Sequence, residues 1–261
     1  MDCRYMNVFF IIFLILMVSV IRFIIKSNKK SGTIGLRIAD EMVEHVLAKN
    51  VLYYQKLHQD QQKEFVQRVQ YFLKTVTITP ISQAPLNNEH RVLIASSGII
   101  PIFYYPHWFY TLDEILVYPE VFNLNFDIDG ANRNIGGLVG DGALKGKMIL
   151  SLSALVSAYH RATNEHTAIH EFAHLIDKSD GKLDGIPELF FDNDNIIKWK
   201  NVMNLSMERM ANQPAGINLQ AMTSPSEFFA IMTEFYFQNP DELKEKWPEV
   251  FFILEKAFCN T

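Results

Sequence analysis

Apolar and polar positions divide this chain into an unbroken apolar block, a helical stretch, a mixed middle and a second helical stretch. Residues 7–25, "NVFFIIFLILMVSVIRFII", are apolar almost throughout. At 1.5 Å rise per residue they reach roughly 28 Å, close to the hydrocarbon thickness of a bilayer. From 36 to 76 apolar residues recur three and four apart, as in "LRIADEMVEHVLAKN" and "QQKEFVQRVQYFLKTV". That spacing predicts packing helices, with Asp60 placed as an N-cap. "EHRVLIASSGIIPIFYY" is apolar without a legible period, and "EILVYPEVF" reads as a short strand carrying Pro119. Residues 127–147 contain six glycines, which predicts turns or a hairpin. "KMILSLSALVSAYH" predicts a buried strand running into a short helix, and "HTAIHEFAHLID" a helix with Asn164 as its N-cap. Residues 180–187 are turn-rich, and "DNIIKWKNVMNLSMERMAN", "SPSEFFAIMTEFYFQ" and "DELKEKWPEVFFILEKAF" are helical. Helices at both ends around a few short strands predict an α+β domain, mostly helical with a small mixed sheet.

Charge changes the reading of the first block. Only Arg4 precedes it, offset by Asp2, whereas Arg22, Lys26, Lys29, Lys30 and Arg37 lie at or after its end. This favours one N-terminal transmembrane helix over a cleaved signal, with Arg22 snorkelling to the interface. The positive-inside rule then puts the following domain in the cytoplasm. The expected organisation is an anchor and basic flank over residues 1–30 and a globular domain over 31–261, joined through the polar "KSNKKSGTIG". A net charge of −5 without a basic face excludes nucleic acid as a partner. Cys3 and Cys259, one at each end, exclude a disulfide framework or a cysteine-zinc site.

The chemistry concentrates in "HTAIHEFAHLID". Residues i and i+4 share a helix face, so His170 and His174 can aim two imidazoles at one point. Glu171 lies about 100° around the helix, able to reach a water there without entering the coordination shell. This is the HExxH arrangement: two zinc ligands and a general base. Ile169, Phe172, Ala173, Leu175 and Ile176 predict a buried helix, where two histidines and a glutamate need a common partner. His166 offers a second i, i+4 pair, but eight residues of helix span about 12 Å, too far for three ligands on one ion. Thr167 cannot serve as a base, so His166 belongs near the helix start, exposed or hydrogen-bonded. A third ligand must come from elsewhere. His58, His90, His107 and His160 have ordinary surface or core explanations, whereas Glu227 and Glu234 lie seven apart on one face of an apolar, aromatic helix. One can bind the metal while the other orients a ligand, and spacing does not rank them. Asp177 can hydrogen-bond a ligand imidazole or cap the helix end.

"AIHEFAHLID" followed by "PSEFFA" resembles the family of zinc peptidases typified by Mlc titration factor A, whose active site is related to that of anthrax lethal factor. "FVQRVQYFL", "RVLIASSGIIPI", "ILVYPEVF" and "GALKGKMILSLSAL" also resemble that family's segments, in order, so the likeness covers most of residues 36–259. It implies a zincin-like metallopeptidase domain with one Zn2+ per chain, ligated by His170, His174 and Glu227, with Glu171 as base and Glu234 behind the ligands. The family has a tyrosine, thought to stabilise the oxyanion, seven residues before the glutamate ligand. This chain has Gln220, whose amide donates a hydrogen bond but is a weaker acid; Tyr159 or another tyrosine is the alternative. The anchor is a second departure, since the typical member is soluble.

In zincins the substrate peptide lies along an exposed strand beside the metal. That role is expected in residues 137–151, with Ile149, Leu150 and Ser151 as substrate contacts. The resulting expectation is a membrane-anchored, cytoplasm-facing zinc metallopeptidase acting on a peptide or protein substrate, with the resemblance favouring aminopeptidase-like activity. One rival is a membrane-held regulatory protein that sequesters a transcriptional repressor, a partner the resemblance implies. Another is a protein whose zinc only staples the fold.

Overall fold

The first helix, α1 (Asp40–Asn50), buries Val43, Val46 and Leu47, and a short α2 (Leu52–Gln55) follows. These belong to a computed structural model that describes residues 37–123, 126–128, 134–140, 145–160, 165–212 and 223–259. The stretch expected to form the anchor, 7–25, lies outside the described residues. Among the described residues, no helix is long and apolar enough to cross a membrane. Residues Leu36–Thr261 form one compact unit.

The amphipathic helix α3 (Gln59–Thr75) buries Phe65, Val66, Val69, Phe72 and Leu73 on one face. It starts at His58, whose backbone N–H donates to Gln61 Oε1 at 3.1 Å. Asp60 is therefore a first-turn residue paired with Lys63, not the N-cap, because Gln61 at the third helical position already closes the start. Strand β1 (Thr77–Pro80) leads to α4 (Asn88–Ile102). Asn87 caps α4, its Oδ1 accepting from the His90 N–H at 2.9 Å, while His90 Nδ1 accepts from the Asn87 N–H. Every residue from Val92 to Ile102 is buried. A helix covered on all sides carries no amphipathic period, which is why the pattern gave this segment no type.

Strands β2 (Glu114–Tyr118), β3 (Gly137–Val139) and β4 (Lys147–Ser151) complete a sheet of order β1-β2-β4-β3. β1, β2 and β4 are parallel, with Ile115 opposite Ile78 and Met148, and β3 is antiparallel to β4. The sheet is thus small and mixed, and the glycine-rich region does supply a hairpin. β2 stops before Pro119. Ser151 Oγ accepts from Ala154 N–H and starts α5 (Leu152–Tyr159) directly from β4, the predicted strand-into-helix junction.

The remaining helices are α6 (Thr167–Asp177), α7 (Asn193–Asn212), α8 (Pro225–Gln238), α9 (Pro240–Lys246) and α10 (Pro248–Cys259). The last predicted helix is two, because Pro248 has no N–H for the preceding turn and opens a new one at Trp247. α6 lies between α4 and α8 and beside β3. Its Phe172 is fully buried against Phe72 and Tyr110. A Cβ on Gly98 of α4 would stand 2.8 Å from the Phe172 ring, so glycine permits the close approach of the two helices.

Candidate metal centre

α6 begins one residue after His166, which is its N-cap, with Nδ1 accepting from the Ile169 N–H at 3.4 Å. Asn164, the expected cap, lies outside the described residues. The helix buries Ile169, Phe172, Ala173 and Ile176, with Leu175 half-buried, and turns His170, Glu171 and His174 toward a cavity of about 380 Å3. The cavity is bounded by α6, β3 and the start of α8.

Three donors converge there. The Nε2 atoms of His170 and His174 stand 3.1 Å apart, with Glu227 Oε2 3.3 Å from the first and Oε1 3.3 Å from the second. A tetrahedral centre with bonds of about 2.0–2.1 Å separates its ligand atoms by roughly 3.3–3.4 Å. The donor triangle therefore fits an ion of that size, and two imidazoles with one carboxylate suit zinc. Among the described residues, His170, His174 and Glu227 form the group able to hold a metal ion. Glu227 sits in the first turn of α8, where Ser224 caps the helix by accepting from its N–H at 3.2 Å. The helix N-terminus favours its negative charge. Hydrogen bonds from His170 and His174 hold its carboxyl well below the usual range.

Glu234 lies two turns further along α8. Its Oε2 is 3.3 Å from His170 Nδ1 and its Oε1 accepts from the His166 N–H at 2.5 Å. It orients one ligand rather than sharing the triangle. Burial alone would lower the His170 pKa, but Glu227 and Glu234 reverse this and push it up to about 10. His166 is 4% exposed, outside the cluster as its spacing required, and it is the hydrogen-bonded rather than the exposed alternative that holds. Burial lowers its pKa to about 4, so it is neutral at pH 7.

Glu171 is buried, and burial raises its pKa. Gly137 of β3 makes room for it, since a Cβ there would stand 2.5–2.8 Å from the Glu171 Cγ, Cδ and Oε1. Neither Gly136 nor Gly137 stood out in the sequence as a site residue; the signal was the pair of adjacent glycines in "NIGGLV". Ser226 was missed too. Its Oγ is 3.1 Å from His174 Nδ1. Asp177 makes no direct hydrogen bond to either histidine and ties the turn after the helix instead. Its two oxygens accept from the Gly185 and Ile186 N–H groups, each at 3.0 Å.

Other expected positions fall elsewhere. Ile149, Leu150 and Ser151 are buried in β4; all three pair with β2, Ile149 and Leu150 pair with β3, and the Ser151 N–H donates to the Gly136 carbonyl at 2.7 Å, so their backbone offers no edge. Among the described residues the outer edge of the sheet beside the cluster is β3, Gly137–Val139. Gln220 lies outside the described residues. Tyr159, its alternative, points away: its hydroxyl donates to Leu93 O at 3.0 Å and meets Ser97 Oγ at 2.9 Å. His58 and His90 serve helix starts, as their ordinary reading implied.

Comparison with known proteins places this arrangement. Residues 25–259 match the family described as glucose-regulated metallo-peptidase M90. An uncharacterized protein of Synechocystis is 26% identical over 228 residues, covering 82% of each chain. Mlc titration factor A of Cronobacter sakazakii and of Escherichia fergusonii are each 24% identical over 221 residues, covering 78% of this chain and 79% of theirs.

Proposed function

This chain belongs to the glucose-regulated metallo-peptidase M90 family, and on that premise we propose that it is a zinc-dependent peptidase cleaving peptide bonds at the His170, His174 and Glu227 cluster. The observation that carries the reading is the three-donor triangle with a buried carboxylate, Glu171, on the same helix. When bound, zinc supplies Lewis acidity, polarising the scissile carbonyl and acidifying water. Glu171 takes the proton of the attacking water and passes it to the leaving amine, a transfer its raised proton affinity supports. Glu234 keeps His170 turned toward the cluster. A peptide adds to β3, the outermost strand beside the cluster among the described residues, where Gly137 leaves the backbone close to Glu171 and Gly136 close to Thr167. Aminopeptidase-like action on a peptide or protein terminus is the proposed mode, with Gln220 as a candidate donor to the oxyanion.

Zinc content and peptide hydrolysis of the full chain test this reading. Glu171→Gln should retain zinc and lose about 10²–10⁴-fold in rate, the range for a general base. Glu227→Ala should lose zinc. Full zinc in Glu227→Ala together with loss in Glu234→Ala would reassign the third ligand. The name of some relatives, Mlc titration factor A, suggests a second reading, which the metallopeptidase family match does not favour, in which the protein titrates a repressor and cleaves little or nothing. Partner capture that survives Glu171→Gln, with no hydrolysis by the wild type, would establish it.

A further inference from the structure

The turn that follows α6 returns one large apolar side chain to the metal cavity. Leu183 is 50% exposed, yet it lines the same cavity as His170, Glu171 and His174. An exposed leucine alone calls for no explanation; the way this one is held does. Asp177 accepts from the Gly185 and Ile186 N–H groups, and Asp180 Oδ1 accepts from the Lys182 N–H at 2.8 Å. Trp199, fully buried, donates from Nε1 to the Gly185 carbonyl at 2.6 Å. Gly185 has φ +74°, and a Cβ there would collide with the Pro225 carbonyl, so glycine lets the turn rest on the start of α8. Pro225 stands two residues before Glu227. The turn is therefore fixed against the same segment that delivers the third metal donor, and the Leu183 backbone keeps one place relative to the cluster.

We propose that Leu183 is a specificity residue, forming with the β3 side of the cavity an apolar subsite for a substrate side chain next to the scissile bond; the proposal rests on the peptidase reading above. Ile135, Leu138 and Val139 line the same cavity. β3 and α6 run side by side in one direction: Gly136 meets Thr167, Gly137 meets Glu171, and the Gly140 carbonyl accepts from Lys178 Nζ at 3.4 Å. His170 and His174 project from the middle of that stretch of α6, and Leu183 lies beyond its C-terminal end. A peptide laid on β3 thus has its reacting bond at the cluster and carries a neighbouring residue, on the Val139 side, toward Leu183. An apolar side chain there covers the exposed leucine surface and gains from the water it displaces. A polar one loses its hydration against leucine without a partner in return.

Fluorogenic peptides varied one residue at a time on either side of the scissile bond test this with the full chain and Zn2+. At one of the two positions leucine should exceed alanine by about 10- to 100-fold in kcat/KM, the range for added methylenes in an apolar pocket. Leu183→Ala should bring that ratio to within about threefold of unity, and Leu183→Met should keep most of it. Should Leu183→Ala hold less zinc than the wild type, Leu183→Gln decides, since it keeps the bulk without the apolar surface; it should lose the preference, and retention overturns the proposal. The same ordering should appear without cleavage, in binding of the two peptides to the Glu171→Gln chain measured by fluorescence anisotropy; equal binding overturns the subsite. An unchanged ratio in Leu183→Ala, no preference in the wild type, or a preference for aspartate, which would assign this wall to Lys178, overturns the proposal and leaves the peptidase reading standing. A wild type that binds zinc and cleaves no peptide overturns both.

Discussion

Gly137 shows how much of the site depends on a missing side chain. A methyl group there meets the Glu171 carboxylate at van der Waals-violating distance, and Glu171 is enclosed and cannot retreat freely. Gly137→Ala should therefore displace the base while leaving the three metal donors in place. The expected result is normal zinc content with kcat lowered by about 10²-fold, the penalty for a misplacement near 1 Å; unchanged kcat would show that Glu171 yields without cost. His170 carries a second residue-scale prediction. Between Glu227 and Glu234 it keeps a proton up to about pH 10, so a cation must displace that proton. Uptake at pH 7 should release about one proton, and affinity should rise about tenfold per pH unit from pH 7 to 9, as calorimetry in buffers of different ionisation heat can measure. The histidine pair was legible because an i, i+4 spacing alone puts two rings on one face. Spacing alone did not rank the third candidate, because Glu227 and Glu234 share a face, and it was the resemblance of the PSEFFA segment that named Glu227. Only the packing of α8 on α6 decides which of its turns meets the rings. Ser226 was hidden because a serine at a helix start is an ordinary residue there.

At the level of elements, the seam between α4 and α6 sets the position of the whole motif. Phe172, inside HExxH itself, packs on Phe72, Tyr110 and the bare backbone of Gly98. Gly98→Ala overpacks this seam and should cost about 1–3 kcal/mol, seen as a lower urea midpoint, with partial recovery on adding Phe172→Leu. No recovery would place the strain elsewhere. The type of α4 could not be read from its pattern because its neighbours cover it completely, and periodicity reports only on surfaces of unequal exposure. The division of the C-terminal segment into α9 and α10 was, by contrast, written in Pro248, and the continuous reading passed over it.

For the whole molecule, the α+β class followed from the order of helical and strand-like segments, whereas the strand order β1-β2-β4-β3 depends on pairings across distant residues that no local pattern encodes. The apolar block at 7–25 belongs to this scale. It lies outside the described residues, and the expectation that it spans a membrane with the following domain in the cytoplasm rests on the cations that follow the block. A tag inserted after Lys30 should be inaccessible from outside intact cells; labelling there would reverse the topology. The β3 edge gives that placement a meaning. Three strand residues can pair with only a short stretch of peptide, and each backbone hydrogen bond contributes about 0.5–1.5 kcal/mol. Such a groove would hold a free peptide at about millimolar strength, so substrate choice would come less from the groove than from local concentration. If the block spans a membrane, confining chain and substrate to one membrane surface would supply that concentration without any further contact in the groove.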